Sequence, residues 1–397
     1  MKNKTSIQRV LQLMASQSPH AADMTRRRFI AQAGKFGLSA AAATALVRGF
    51  QMPAFADVDE ASLPKVTSIP DKLKGSGVVR YCSYGGALQD AQRKAYLKPF
   101  EELTGIKVIE SEGSDATKVK AMVDTGNVEW DVYEDDAGAV QNLMKKGDYY
   151  EPIDYALFDA DNIYPTSMHK YWIDMLPYAQ IIAYRKDAFG GKTPKDVKDL
   201  WDTTTFPGPR AMQSGSGGLN PDLELAAMAA GVSRDKLYPL NLDQAFGSLA
   251  KLKPSVVKWW EAGAIPAQLL SDDEVVMATA WNGRIDAIQK NGAPVDIIWK
   301  DQLLRTDIWC VPKGAANKEN GQKLAAFITL AESQARLSML IPYGFVNKKA
   351  EALIPKERLT ILPTFSEHRA ELIEYDTKWW ADNYDDIAER WKTFILG

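Results

Sequence analysis

Between Val78 and Tyr133 the chain alternates short apolar runs with amphipathic stretches, and that alternation restricts the fold more than any other feature. Val78-Val79-Arg80-Tyr81-Cys82 reads as a strand, and Gly85-Gly86 as the turn after it. Leu88, Ala91, Ala95, Tyr96, Phe100 and Leu103 then recur at three- and four-residue spacings, the period of a helix face. Gly105 is placed to end that helix in the left-handed conformation. Ile106-Lys107-Val108-Ile109 predicts a second strand, Ala116 to Asp124 a second helix and Trp130-Asp131-Val132-Tyr133 a third strand. Strand–helix–strand repetition implies an α/β fold, with a parallel sheet and right-handed crossovers. Such sheets bind ligands beyond the carboxyl ends of their strands, which makes Ser83, Tyr84 and Asp136 pocket candidates.

The second half has the same grammar. Lys192 to Trp201 predicts a turn entering a helix, and Ser214-Gly215-Ser216-Gly217-Gly218 a flexible loop. Asn220 and Pro221 stand as N-cap and first residue of a helix that stops at Gly231. Val275 to Ala280 predicts a strand, and residues from Lys318 onward are mainly helical in pattern. The pairs Trp259-Trp260 and Trp379-Trp380 read as packing.

The N-terminus reads as an address. Thr25-Arg26-Arg27-Arg28-Phe29-Ile30 has the twin-arginine form, followed by an alanine-rich apolar stretch from Phe36 to Val47 and by Ala54-Phe55-Ala56. That order is an export signal with a small-residue cleavage site, and the apolar stretch is too short to span a bilayer. Periplasmic localisation follows as an expectation. The signal contains eight Lys/Arg and one Asp, leaving 40 basic and 50 acidic residues in the mature chain. A net charge of about −10 argues against nucleic acid and anionic membrane as partners, and favours cationic solutes. Some 340 residues are more than one core usually supports, so two lobes are expected. Cys82 and Cys310 are the only cysteines; in an oxidising compartment they could pair, and two buried free thiols are the alternative.

Five segments, in order, carry a family resemblance. Leu103-Thr104-Gly105-Ile106-Lys107-Val108 and Trp130-Asp131-Val132 resemble the opening and third strand of solute receptors of ABC importers. Met277-Ala278-Thr279-Ala280-Trp281-Asn282-Gly283 resembles a strand of their spermidine/putrescine-binding branch. Asp307-Ile308-Trp309-Cys310-Val311-Pro312 with Ala315-Ala316-Asn317-Lys318-Glu319, and Ile341-Pro342-Tyr343-Gly344 with Asn347, resemble two further segments of that branch. The resemblance implies a two-lobed periplasmic binding protein of type II, with three chain crossings at a hinge and the ligand cleft between the lobes. On that basis residues 1–56 are the signal and 57–76 an arm. Lobe I comprises 77–181 and 285–312, and lobe II 182–284 and 313–397. Crossings are expected near Ile182, Trp281 to Arg284 and Val311 to Lys313.

The resemblance also implies pocket roles. Trp281 stacks on the ligand's alkyl chain, and Asp307 accepts hydrogen bonds from an ammonium. Arg284 stands where putrescine receptors of the family carry an acid. A guanidinium beside a dication is costly to bury, whereas a carboxylate suits it. Arg284 with Asp307 resembles the γ-aminobutyrate-binding members; an ion pair of Arg284 with Asp307 or Asp136 is the alternative. Tyr84, Tyr178 and Tyr343 are candidate walls, and the loop from Ser214 offers backbone N–H groups to an anion. The expected function is a receptor handing a γ-aminobutyrate-like ω-amino acid to a membrane permease, as a soluble monomer, with putrescine or spermidine as the alternative ligand.

No cofactor or metal is expected. His169 and His368 are the histidines outside the signal, and no nucleophile, phosphate-loop or zinc motif appears. Iron-binding relatives cluster tyrosines, but Tyr149 and Tyr150 as strand neighbours point to opposite faces.

Overall fold

The computed structural model describes residues 58–216 and 219–397. The expected signal and its cleavage site lie outside them, as do Gly217 and Gly218.

Strand β1 (Val78–Ser83) runs into helix α1 (Gly86–Gln92), a π-helical turn (Arg93–Leu97) and helix α2 (Lys98–Thr104). Gly105, at φ 80°, closes α2 as expected, its N–H bonding to the Glu101 carbonyl at 3.2 Å. Strand β2 (Lys107–Glu112) lies parallel to β1, with Val79 opposite Val108. Helix α3 (Ala116–Thr125) is capped by Asp115, which accepts from the Thr117 N–H at 2.7 Å. Strand β3 (Val132–Asp136) is parallel to the other side of β1 and ends in helix α4 (Ala137–Met144). The predicted β–α–β–α–β succession therefore forms element by element.

Strand β4 (Ile173–Arg185) leads to helix α5 (Val197–Trp201), strand β5 (Arg210–Gln213) and helices α6 (Leu223–Ala229) and α7 (Leu242–Leu252). Strand β6 (Val256–Trp260), helix α8 (Ala264–Ser271), strand β7 (Met277–Trp281) and helix α9 (Asn282–Lys290) follow. Helix α6 starts two residues later than Asn220 and Pro221 predict. The Asp222 carboxylate is taken instead by the sheet, accepting from the Gln213 N–H at 2.8 Å and the Thr279 hydroxyl at 2.7 Å.

Strand β8 (Val295–Cys310) then runs the width of the molecule. Helices α10 (Lys318–Ile328) and α11 (Ala331–Leu340), short helices α12 (Lys356–Leu359) and α13 (Ser366–Arg369), strand β9 (Ile373–Glu374) and helix α14 (Thr377–Leu396) complete the chain. The strand order is β2-β1-β3-β8-β4-β7-β5-β6, with β9 beside β8. The parallel trio β1–β3 and the parallel trio β5–β7 flank a long antiparallel pair, β4 and β8, which pairs from Ile173–Trp309 to Arg185–Val295. A core around Val119, Tyr133, Val140 and Ile308 lies on the β1–β3 side, and one around Leu200, Leu225, Leu249 and Met277 on the β5–β7 side.

Two features of the expected lobe plan are corrected. Residues 313–397 do not all join the β5–β7 side. Helix α10 packs on β1 and β3, with Asn320 Nδ2 donating to the Val78 carbonyl at 2.9 Å, and Arg336 of α11 donates to the Ala95 carbonyl at 2.7 Å. Only toward the C-terminus does the chain reach the β5–β7 side again, and there α14 packs on both α4 and α7. Nor does it cross between sides at Trp281 to Arg284. There β7 turns directly into α9, which packs back on β4, β7 and β8, and β8 makes the return. Among the described residues no helix is long and apolar enough to cross a membrane.

Candidate functional site

A cleft of about 1220 Å³ opens over the central β4–β8 pair, where the two parallel trios meet it. Tyr84, Asp136, Tyr178, Trp281, Arg305 and Asp307 line its floor and walls. Side chains alternate along a strand, so Glu134 and Asp136 of β3 share a face with Arg305, Asp307 and Trp309 of β8. The register puts Asp136 opposite Asp307, and Glu134 opposite Trp309. Asp136 also caps α4, accepting from the N–H groups of Gly138 at 2.8 Å and Ala139 at 3.2 Å. Its position is thus fixed by β3 on one side and the start of α4 on the other.

The acids are close enough to disfavour one another's ionisation. Burial, followed by the charges of Glu134, Asp136 and Asp135, pushes the Asp307 carboxyl well above the usual range, against the pull of Arg305. Burial raises Asp135 to about 7. Glu134, fully buried, is likewise raised by burial, while one of its oxygens accepts from Gln92 Nε2 at 2.7 Å, Ser83 Oγ at 2.5 Å and the Tyr81 hydroxyl at 3.2 Å. Its other oxygen has no partner among the described residues. Such a cluster gains from a cation that lets the acids ionise together.

Beside the acids stands an aromatic wall. Tyr178 meets Trp281 edge-on at 6.1 Å and Tyr343 at 6.2 Å. Trp281 in turn stands edge-on to the buried Trp260 at 5.8 Å. Gly263 makes that arrangement possible, since a Cβ there would lie 2.4 Å from the Trp281 ring. An alkyl chain fits such a surface through dispersion and apolar burial, and an ammonium through the ring faces.

The sequence candidates divide accordingly. Tyr84, Asp136, Tyr178, Trp281 and Asp307 come together in the cleft; Ser83, Ser214, Arg284 and Tyr343 are not among its lining residues. Ser83 is held back by Glu134. Ser214 is buried, and its hydroxyl is engaged by the Ser216 N–H at 3.0 Å. Tyr343 lies behind Tyr178, and burial raises its phenol to about 12 despite the nearby Arg284 guanidinium. Arg284 on α9 is half-buried at that edge. Sequence reasoning missed Arg305, although its two-residue spacing from Asp307 was a sign that both share a strand face.

A mixed sheet with two long connecting strands and an acid- and aromatic-lined cleft over them defines a solute receptor of the periplasmic-binding-protein fold. The chain belongs to the bacterial extracellular solute-binding protein family, whose family model matches residues 95–364, a family of transport receptors rather than enzymes. It is 35% identical over 319 residues to the gamma-aminobutyric acid-binding protein of Pseudomonas aeruginosa, covering 79% of this chain and 89% of that one. It is 26% identical over 278 residues to the spermidine/putrescine-binding periplasmic protein of Escherichia coli, covering 66% and 76%. The solved Atu4243-GABA receptor superposes with a TM-score of 0.70 at 32% identity, over 80% of this chain and 97% of that one.

Proposed function

We propose that this receptor binds a γ-aminobutyrate-like ω-amino acid in the cleft and delivers it, as a soluble monomer, to the permease of an ABC importer. The observation that carries the reading is the in-register pair Asp136 and Asp307, backed by Glu134 and set beside Trp281 and Tyr178. The ammonium docks on Asp307 and Asp136, the methylene chain lies along the aromatic wall, and lobe closure brings the carboxylate to Arg284, which stands outside the open cleft behind Tyr178 and Tyr343. The relative named for γ-aminobutyric acid supports this solute over the polyamines of the more distant relatives. Strands β4 and β8 serve as the hinge on which two lobes close over the solute. The twin-arginine signal exports the chain to the periplasm.

Calorimetry of the mature protein against γ-aminobutyrate, 5-aminovalerate, putrescine and spermidine tests the reading. Binding of the ω-amino acids, lost in Arg284→Ala, is expected. A diamine bound more tightly than either ω-amino acid would replace this solute by a polyamine.

A further inference from the structure

Arg305, beside Asp307 on the cleft floor, is a charged residue to which the proposed reading gives no task. Its side chain is 13% exposed and lines the cleft. The guanidinium lies 4.7 Å from the Tyr375 ring centre, and its nearest carboxylate oxygen, on Asp136, is 4.0 Å away. Among the described residues it donates no hydrogen bond, so a planar fork of five donors is held by stacking on Tyr375 and by the loose ion pair with Asp136. Glu224 also faces it, but that carboxylate is engaged by the Trp380 indole at 2.5 Å and by the Tyr238 hydroxyl. A largely desolvated guanidinium without a hydrogen-bond acceptor is a receptor for an oxyanion.

Its position says where on the solute that oxyanion sits. Arg305 and Asp307 are alternate residues of β8 on one face, about 6.6 Å apart along the strand. A solute whose ammonium rests on Asp307 therefore brings a carboxylate borne by the same carbon toward Arg305. We infer that the cleft accepts an α-amino acid head group, with ammonium on Asp307 and Asp136 and α-carboxylate on the Arg305 fork, in a solute that carries a second, distal carboxylate. This inference rests on the reading that the cleft acids take an ammonium. The length of the cleft, reaching past Arg305 to Arg369 and Lys378, leaves room for such a solute.

Glutamate is the probe, because it is γ-aminobutyrate with one carboxylate added to the carbon that bears the ammonium. Calorimetry should show glutamate binding to the mature wild-type receptor. In Arg305→Gln the affinity for glutamate should fall at least 10-fold more than that for γ-aminobutyrate, with Arg305→Lys between the two. Tyr375→Leu, which removes the ring that holds the guanidinium, should shift the ratio in the same direction should Arg305→Gln fail to fold. Wild type that binds γ-aminobutyrate but not glutamate at millimolar concentration, or an Arg305→Gln variant that loses both equally, would overturn the inference and leave the ω-amino acid reading standing. Wild type that binds neither, nor any diamine, removes the ammonium site and this inference with it.

Discussion

Asp136 and Asp307 face each other in register across β3 and β8, two carboxylates on one sheet face with a third, Glu134, two residues along. Two of them come from β3 and the third from β8, more than 160 residues on, and the pairing of the two strands brings them together. Repulsion within the group is the source of its affinity for a cation.

Asp307→Asn should therefore weaken amine binding by about 10- to 100-fold, the loss expected for a charge-assisted hydrogen bond worth about 1.5–3 kcal/mol. It should not lower the melting temperature, because the ionised Asp307 is itself disfavoured by burial and by its acidic neighbours. Calorimetry and thermal melting together check the pair of outcomes. A variant that keeps its affinity removes Asp307 from the site.

Ligand binding should release protons near neutral pH. Asp307 is raised well above the carboxylate range by burial and by its acidic neighbours, so the empty cleft holds a proton that a docked ammonium expels. Affinity for an amine then falls as pH drops and Asp307 takes its proton back. Titration in buffers of different ionisation enthalpy at pH 7 should show net proton release, reduced in Asp307→Asn. Heats independent of the buffer would contradict the electrostatic account.

The first three strands, their intervening helices and the glycine at 105 were legible in sequence because period and capping are local signals. So were Trp281 and Asp307, which lie inside family-like segments. What was not legible depended on contacts made across the fold. Nothing in the pattern of residues 318–340 says which trio of strands those helices cover, and only the packing of α10 on β1 and β3 decides it. Ser83 was expected in the pocket, but the buried oxygen of Glu134 draws its hydroxyl inward. Arg305 escaped notice because the stretch before Asp307 carries no family motif, and its partners Tyr178 and Tyr375 are supplied by β4 and the β9–α14 turn.

Cys82 and Cys310 are both in register with Tyr133, one on each side of it. Two strand spacings of about 4.8 Å separate them, beyond the roughly 7 Å between Cα atoms that a disulfide spans. Both are free and buried, and burial raises the Cys82 thiol to about 11, far from a reactive thiolate. Alkylation of the purified protein without reductant should modify neither thiol in the native state and both after denaturation. A mass 2 Da low before reduction would refute this arrangement.

Asp222 should make stability depend on pH. It is 2% exposed, and burial raises it to about 7 although it accepts from Gln213, Thr279 and Gln180. Between the unfolded value near 3.9 and the folded value near 7, the native state holds a proton that the unfolded chain has lost. Stability from this group is therefore present at low pH and declines as pH rises through that window, by up to about 1.4 kcal/mol per unit. Asp222→Asn cannot ionise, so its stability relative to wild type should improve from pH 5 to pH 8. Urea unfolding of both proteins at the two pH values measures the difference. A gap that stays constant would mean that Asp222 is ionised throughout, stabilised by its three donors more than burial penalises it.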